Sequence, residues 1–447
     1  VSDLYFTNAT IINLWPTKVE FGNLHVTAGK IVGMGPDYEP DNLSDTTQKH
    51  DLKGDILIPG LVNGHTHLYS SLACGMPAPR STPHTFQEIL EKVWWRMDRA
   101  LDQGSIEACG IAGALAAIRC GTTTVIDHHA SPHFITESLD ALSEAVESVG
   151  LRGVYCYETT DRHGAEGANY GIEENRRFCG AKQRITYDEK LGRHSAGVIG
   201  LHAPFTCGPE TMASAAKVAD RLHVPLHIHV AEDRCDRSIT RDRTGKDLDE
   251  YLLEHQIARD GTLIAHGIHL RPEEIAALTE AGCYFAHQSR SNMNNQVGHA
   301  PLASIDKSRL MLGTDGIGSD MFVEGQMAYF KSQDGGTGLT PDDVLRALAN
   351  NAEFAARHLG PTRMGQIEVG APADLVRLKY RPATPLTAEN FGWHFIFKMG
   401  SRHVRDVWIG GQQVLRAHQP VYCEKHPDGM HRLHEQTRRL WAKMEEL

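Results

Sequence analysis

The chain has no long apolar run, and nothing in it approaches the roughly 18 consecutive apolar residues of a membrane span. It also lacks an excess of basic charge. With 45 Lys and Arg against 56 Asp and Glu, the formal net charge is -11, which disfavours nucleic acid or an anionic membrane as partner. A small-molecule substrate is the better expectation. No cysteines stand at C-x-x-C spacing: the nine are odd in number and scattered from Cys74 to Cys423, which predicts buried thiols in a reducing compartment and a cytoplasmic protein. Residues Val1 to Gly22 lack a basic n-region and a hydrophobic core, so they read as strands rather than a signal peptide. There is no internal repeat or low-complexity tract.

What is present is enough apolar material, 41% of 447 residues, to fill a large core with a smaller satellite domain. Residues 1–57 hold short alternating runs, Leu4 to Ile12, Gly22 to Thr27 and Lys30 to Met34, that predict an antiparallel sheet. From Ile56 the rhythm changes to short β-branched runs alternating with longer amphipathic segments, as in parallel βαβ units. Eight such runs occur: Ile56 to Val62, Thr123 to Ile126, Arg152 to Tyr157, Gly197 to Leu201, Val224 to Ile228, Thr262 to Ala265, Cys283 to Ala286 and Arg309 to Gly313. Helical segments are predicted at Gln103 to Arg119, Ile135 to Ser148, Glu210 to Arg221, Asp247 to Glu254, Pro272 to Glu280 and Asp342 to Leu359. The expected fold is α/β, a (β/α)₈ barrel over residues 58–367. Residues 1–57 and 368–447 are expected to join in a small β-sandwich, with a charged packing helix at His431 to Leu447.

The residues that follow each apolar run carry the chemistry. His65 and His67 follow the first, Asp127, His128 and His129 the second, Glu158 and Asp161 the third, and His202 the fourth. His229 with Glu232 follows the fifth, His266 the sixth, His287 the seventh and Asp315 the eighth. In a (β/α)₈ barrel the C-terminal strand ends converge on one face, where active sites form. A lone histidine after a strand is usually a hydrogen-bonded loop residue, but that account has to be repeated at nearly every strand end.

In His65-Thr66-His67 an extended backbone points both imidazoles to one side, where they can reach one ion. His229 and Asp315 complete a mixed nitrogen and oxygen set suited to one zinc or ferrous ion, with a position left for water. Such a metal lowers the pKa of water from about 15.7 to about 7. Glu232, three residues after His229, is placed to pass a proton to a departing nitrogen, and His266 to orient the water. Trp94 and Trp95 read as core or subunit contacts rather than a substrate wall. Cys74 has no base partner and is not expected to act as a nucleophile.

The strings Pro59-Gly60-Leu61-Val62-Asn63-Gly64-His65-Thr66-His67, His227-Ile228-His229-Val230-Ala231-Glu232, Ala265-His266-Gly267, Ser291-Asn292-Met293 and Gly313-Thr314-Asp315-Gly316 resemble the amidohydrolase superfamily. The similarity is to its chlorohydrolase and aminohydrolase branch, which includes guanine, cytosine and S-adenosylhomocysteine deaminases. Within that branch Trp94 to Ala100, Ile126 to Pro132, Ser289 to Asn295 and Gly313 to Met321 resemble the SsnA-type aminohydrolases. The resemblance implies a barrel with a β-sandwich from both termini, a mononuclear site and homo-oligomers. It assigns His65, His67, His229 and Asp315 to the metal, Glu232 and His266 to catalysis, and His202 and Asn292 to the substrate. His202 stands where binuclear relatives carry a carboxylated lysine, which favours one metal. Arg290 departs from the branch pattern and is expected either to read an acidic or acceptor-rich substrate edge or to pair with Asp161 or Asp320. The expected reaction is hydrolytic deamination of a purine-like or pteridine-like ring. The alternatives are ring-amide cleavage or dechlorination by the same chemistry and, more remotely, a non-catalytic scaffold.

Overall fold

Gly60 divides the first apolar run in two. The sequence predicts one strand from Ile56 to Val62, but Ile56–Pro59 and Leu61–Thr66 are separate strands in separate sheets. A Cβ on Gly60 would lie 2.2 Å from the Thr123 hydroxyl oxygen, so only glycine lets the chain pass that close as it changes sheet. This computed structural model describes residues 3–185, 192–360 and 363–447.

Ile56–Pro59 belongs to a nine-stranded sheet that takes strands from both ends of the chain, and it pairs antiparallel with Leu375–Leu378. Leu4–Asn13 pairs antiparallel with Lys18–Thr27, as the alternating pattern predicts. It also runs parallel to Gln48–Asp51 and to Ile56–Pro59, so the head of the chain is mixed rather than purely antiparallel. Residues 36–47 supply the connection that returns the chain to the same direction. Phe6 and Trp408, from head and tail, pack edge to face with ring centroids 5.0 Å apart.

Eight parallel strands follow. They are β1 (Leu61–Thr66), β2 (Thr122–His129), β3 (Arg152–Tyr157), β4 in two pieces (Ser195–Gly197 and Ile199–Leu201), β5 (Leu226–Val230), β6 (Leu263–His266), β7 (Tyr284–His287) and β8 (Leu310–Leu312). The first piece of β4 closes a four-stranded sheet with β1 to β3, and the second opens a five-stranded sheet with β5 to β8. The two sheets meet at both edges through parallel bridges, Thr66 to Asp315 and Thr159 to Leu201. The Asp315 and His202 N–H groups donate across these seams to the His65 and Thr159 carbonyls at 3.0 and 2.9 Å. All residues of β2 and β3 are buried, as in a parallel sheet covered on both faces.

The amphipathic helices lie close to their expected places, Gln103–Arg119 and Pro272–Glu280 among them. Asp102 caps the first, accepting from the Ser105 N–H at 3.0 Å. Three helices longer than ten residues have no counterpart in the sequence reading: Gly164–Arg184, Arg234–Thr244 and Met321–Asp334. The tail helix Gly429–Glu446 buries Leu433, Leu440 and Met444. It lies over the segment after β1: Arg96 Nε donates to the Met444 carbonyl at 2.6 Å and the Trp441 indole N–H to the Leu72 carbonyl at 3.0 Å. No helix among the described residues is long and apolar enough to cross a membrane.

Candidate active site

Two glycines let β1 and β8 come together. A Cβ on Gly313 would stand 2.6 Å from the His65 backbone nitrogen, and one on Gly64 would stand 2.6 Å from the Leu312 carbonyl oxygen. That close approach sets His65 and His67 beside Asp315. Asp315 itself has φ 55°, and His266 has φ 72°, both in the left-handed region that β-carbon sterics disfavour. Such strained conformations are held only where surrounding structure enforces them, commonly at functional sites.

His67 Nδ1 donates to the His128 carbonyl at 2.6 Å, and His229 Nδ1 to the His202 carbonyl at 2.8 Å. A carbonyl can only accept, so both rings carry their proton on Nδ1 and turn Nε2 inward. Those two Nε2 atoms lie 3.2 Å apart, and Asp315 Oδ1 is 3.1 Å from that of His67. His65 Nδ1 lies 2.8 Å from His227 Nε2, while its own Nε2 is buried without a hydrogen-bond partner, 3.8 Å from Asp315 Oδ1. An orphaned imidazole nitrogen beside two inward Nε2 atoms and a carboxylate is a donor set for a cation once the His67 proton is lost.

Electrostatics agree with the geometry. Burial, then the neighbouring imidazoles, hold the His65 and His229 pKa values well below the usual range, so both rings are neutral. Burial also works against charge on His67, but the Asp315 hydrogen bond and charge outweigh it and lift its pKa to about 9. Asp315 stays ionised: burial raises its pKa, and the hydrogen bond and charge of His67 more than reverse this. Glu232 is pushed up to about 7, chiefly by burial.

Glu232 and His266 face the same space, with His266 Nε2 3.3 Å from Glu232 Oε2 and 4.0 Å from Asp315 Oδ2. His266 Nδ1 lies 2.9 Å from Asn292 Oδ1, and its backbone N–H donates to Gln288 Oε1 at 3.1 Å. Asn295 donates to Glu232 Oε1 at 3.1 Å, and the Ser291 hydroxyl donates to Asp315 Oδ2. These groups open on one shared cavity. His202 lines it, with its Nδ1 on the Thr206 hydroxyl at 2.6 Å.

Two residues expected at the substrate lie elsewhere. Arg290 does not line the cavity: its Nε donates to Glu324 Oε2 at 2.6 Å, an ion pair with neither of the partners the sequence suggests. Asn292 sits behind His266 rather than on the cavity wall. The cause is helical spacing. Ser289–Asn294 forms a turn of helix that presents Ser291, Asn294 and Asn295 to the cavity and aims Asn292 at His266. Trp94 and Trp95, read from sequence as core, are on the cavity wall, as is Glu158. Asp161 is not; it accepts from the Thr211 hydroxyl at 2.5 Å at the start of helix Pro209–Leu222. The nine cysteines are unpaired, but the expected burial holds for only five of them: Cys120, Cys235 and Cys423 are half-buried, and Cys74 is exposed away from the lining.

Comparison with known proteins places this geometry. A 5-methylthioadenosine/S-adenosylhomocysteine deaminase of Desulforudis audaxviator is 29% identical over 406 residues, covering 88% of this chain and 89% of that protein. Among solved structures, an adenosine deaminase from Xanthomonas campestris with bound zinc superposes with TM-score 0.82 at 20% identity, covering 100% of this chain and 99% of that one. An atrazine chlorohydrolase from Arthrobacter aurescens, complexed with zinc, gives 0.80 at 22% identity, covering 98% and 100%. The profile of the amidohydrolase family matches residues 56–414, which include every strand end that contributes to the cavity, and the chain belongs to that family.

Proposed function

We propose that the protein is a metal-dependent aminohydrolase that removes an amino group, as ammonia, from a purine-like or pteridine-like ring. The observation that carries this reading is the convergence of metal-type donors and a proton-transferring pair on one cavity. His67, His229, Glu232, His266 and Asp315 line it, and His65 is buried beside them in the same cluster of donor atoms. The deaminase name of the 29%-identical relative supplies the reaction type. The eight parallel strands, bridged at both seams, are read as one closed barrel presenting these residues at its C-terminal end.

In this reading His65, His67, His229 and Asp315 would hold one zinc ion, the metal bound in the adenosine deaminase and chlorohydrolase neighbours; ferrous iron would fit the same donor set. When bound, the ion supplies Lewis acidity that makes water a competent nucleophile near neutral pH. Glu232, with a pKa near 7, takes a proton from that water and returns it to the departing nitrogen. His266, fixed by Asn292 and Gln288, orients the water from the Asp315 side. The new bond joins water oxygen to ring carbon, the carbon–nitrogen bond breaks, and the amino group leaves as ammonia with one of the water protons, the other staying on the product as hydroxyl or ring N–H. His202 stands against the substrate ring.

The test is to assay metal-loaded protein against aminated purines and pteridines for ammonia. Ring opening, or chloride loss from chlorinated rings, without any ammonia from the aminated set would overturn the reading in favour of the alternative leaving groups.

A further inference from the structure

Acidic side chains are the only Asp, Glu, Lys or Arg residues on the cavity wall among the described residues. Three carboxylates, Glu158, Glu232 and Asp315, line it, and among the described residues no Lys or Arg does. Two nearby guanidiniums are committed elsewhere. Arg290 is paired with Glu324, and Arg162 stacks on the Trp95 ring, 4.1 Å from its centroid, with Nη2 2.9 Å from Glu158 Oε1 and 3.7 Å from Asp98 Oδ2.

Of the three carboxylates, Glu232 and Asp315 belong to the chemistry proposed above, and Glu158 does not. Its backbone N–H donates to the His129 carbonyl at 2.7 Å, which fixes it at the mouth of β3. Arg162 holds Oε1, and His128 Nδ1 lies 3.3 Å from Oε2. A carboxylate has about four acceptor positions. The two contacts leave each oxygen a further lone pair, and the side chain remains part of the cavity lining. His202 Nε2 stands 3.9 Å from Oε1, and Leu90, Trp94 and Trp95 give an apolar and aromatic wall for a flat ring.

We infer that Glu158 is the specificity-determining residue of this cavity, accepting from the N–H edge of an uncharged or cationic ring, and that anionic substrates are excluded. This deepens the aminohydrolase reading and rests on it for the reaction. It replaces the acidic or acceptor-rich edge suggested by Arg290 with its opposite. A phosphate or carboxylate on the part of the substrate that lies against Glu158, away from the metal donors, would meet a buried carboxylate whose cation Arg162 is already paired with it, and the like charges would repel.

The test uses the metal-loaded protein, wild type and Glu158→Gln, with aminated purines and pteridines and the N-carboxymethyl derivative of each. Ammonia release gives kcat and KM, and calorimetric titration gives affinity whether or not a compound reacts. Wild type is expected to favour neutral rings over their carboxymethyl counterparts by roughly 100-fold or more in kcat/KM. Glu158→Gln is expected to weaken neutral-ring binding roughly 10- to 100-fold, the range for losing a charged hydrogen bond, with the change falling on KM and with metal content kept. The gap to the carboxymethyl derivatives should narrow. Glu158→Asp, which keeps the charge and draws it back by one methylene, should show the same pattern more weakly and serves if the glutamine variant does not fold. A wild-type preference for the anions, no neutral ring binding, or a variant with unchanged affinity would overturn the inference. Binding that is weakened by Glu158→Gln while no compound releases ammonia would uphold it and sink the deaminase reaction instead.

Discussion

His67 and His229 meet Nε2 to Nε2 at 3.2 Å, while each gives its Nδ1 proton to a backbone carbonyl. Two imidazole lone pairs at that distance repel unless a proton or a cation lies between them. The neighbouring strands thus fix tautomers as well as positions, and the His128 and His202 main-chain carbonyls do the fixing.

The first prediction follows from that competition between proton and cation. His67, with a pKa near 9 beside Asp315, keeps its proton near neutral pH in metal-free protein, and metal binding must expel it. Elemental analysis should give about one zinc or iron per chain. Calorimetry in buffers of different ionisation enthalpy should show about one proton released near pH 7.5, falling toward zero above pH 9 to 10. Two tightly held metals, or no proton release near neutrality, would refute this account of the site.

Glu232→Gln keeps the shape and the Asn295 contact but removes the titrating group. Turnover should fall by about 10² or more at saturating substrate, with metal content near that of wild type. Unchanged turnover would remove Glu232 from the mechanism.

Arg290→Met should act on stability before it acts on substrate. Glu324 is fully buried and Arg290 is 19% exposed in its side chain, so the variant strands a carboxylate away from water. Breaking a buried pair typically costs about 3 kcal/mol, visible as a lower denaturant midpoint. Arg290→Met with Glu324→Gln should recover much of the loss. A KM change without a midpoint change would return Arg290 to the substrate.

Gly313→Ala puts a methyl group where the His65 backbone nitrogen and Cβ stand, 2.6 and 2.7 Å away. β1 and β8 must then part, and His65 moves away from Asp315. Stability should drop by about 1 to 3 kcal/mol and metal affinity with it. A variant with wild-type melting and metal retention would show that the seam tolerates more than its geometry suggests.

The sequence made the strand-end residues legible because β-strand termini are marked twice, by a β-branched run and by the polar residue that ends it. His65, His67, His229, Glu232, His266 and Asp315 were reached in that way and come together in the structure. Direction within a turn was not legible. Asn292 and Asn295 differ by three positions in a polar string, and only the helix Ser289–Asn294 decides which faces the cavity. Ion-pair partners far along the chain were hidden as well, which is why Arg290 was set against loop aspartates instead of Glu324. The helix Arg234–Thr244 escaped for lack of an apolar stripe, since only Asp236 and Thr240 are buried in it. Glu158 is legible as a strand-end residue, but its partner Arg162 is held by stacking on Trp95 from a distant segment, which the sequence does not reveal.

The helix Gly429–Glu446 has a consequence for how the molecule comes into being. Arg96, on the same short helical stretch as the cavity-wall residue Trp95, is tied to the Met444 carbonyl across 348 positions of chain. During synthesis His67 and Trp95 leave the ribosome early, while the helix that braces their wall is still untranslated. At typical elongation rates of about 5 to 20 residues per second, the unbraced wall waits tens of seconds for its support. A nascent chain released before that helix would hold its histidines and lack a finished pocket, so activity would appear late and abruptly in translation.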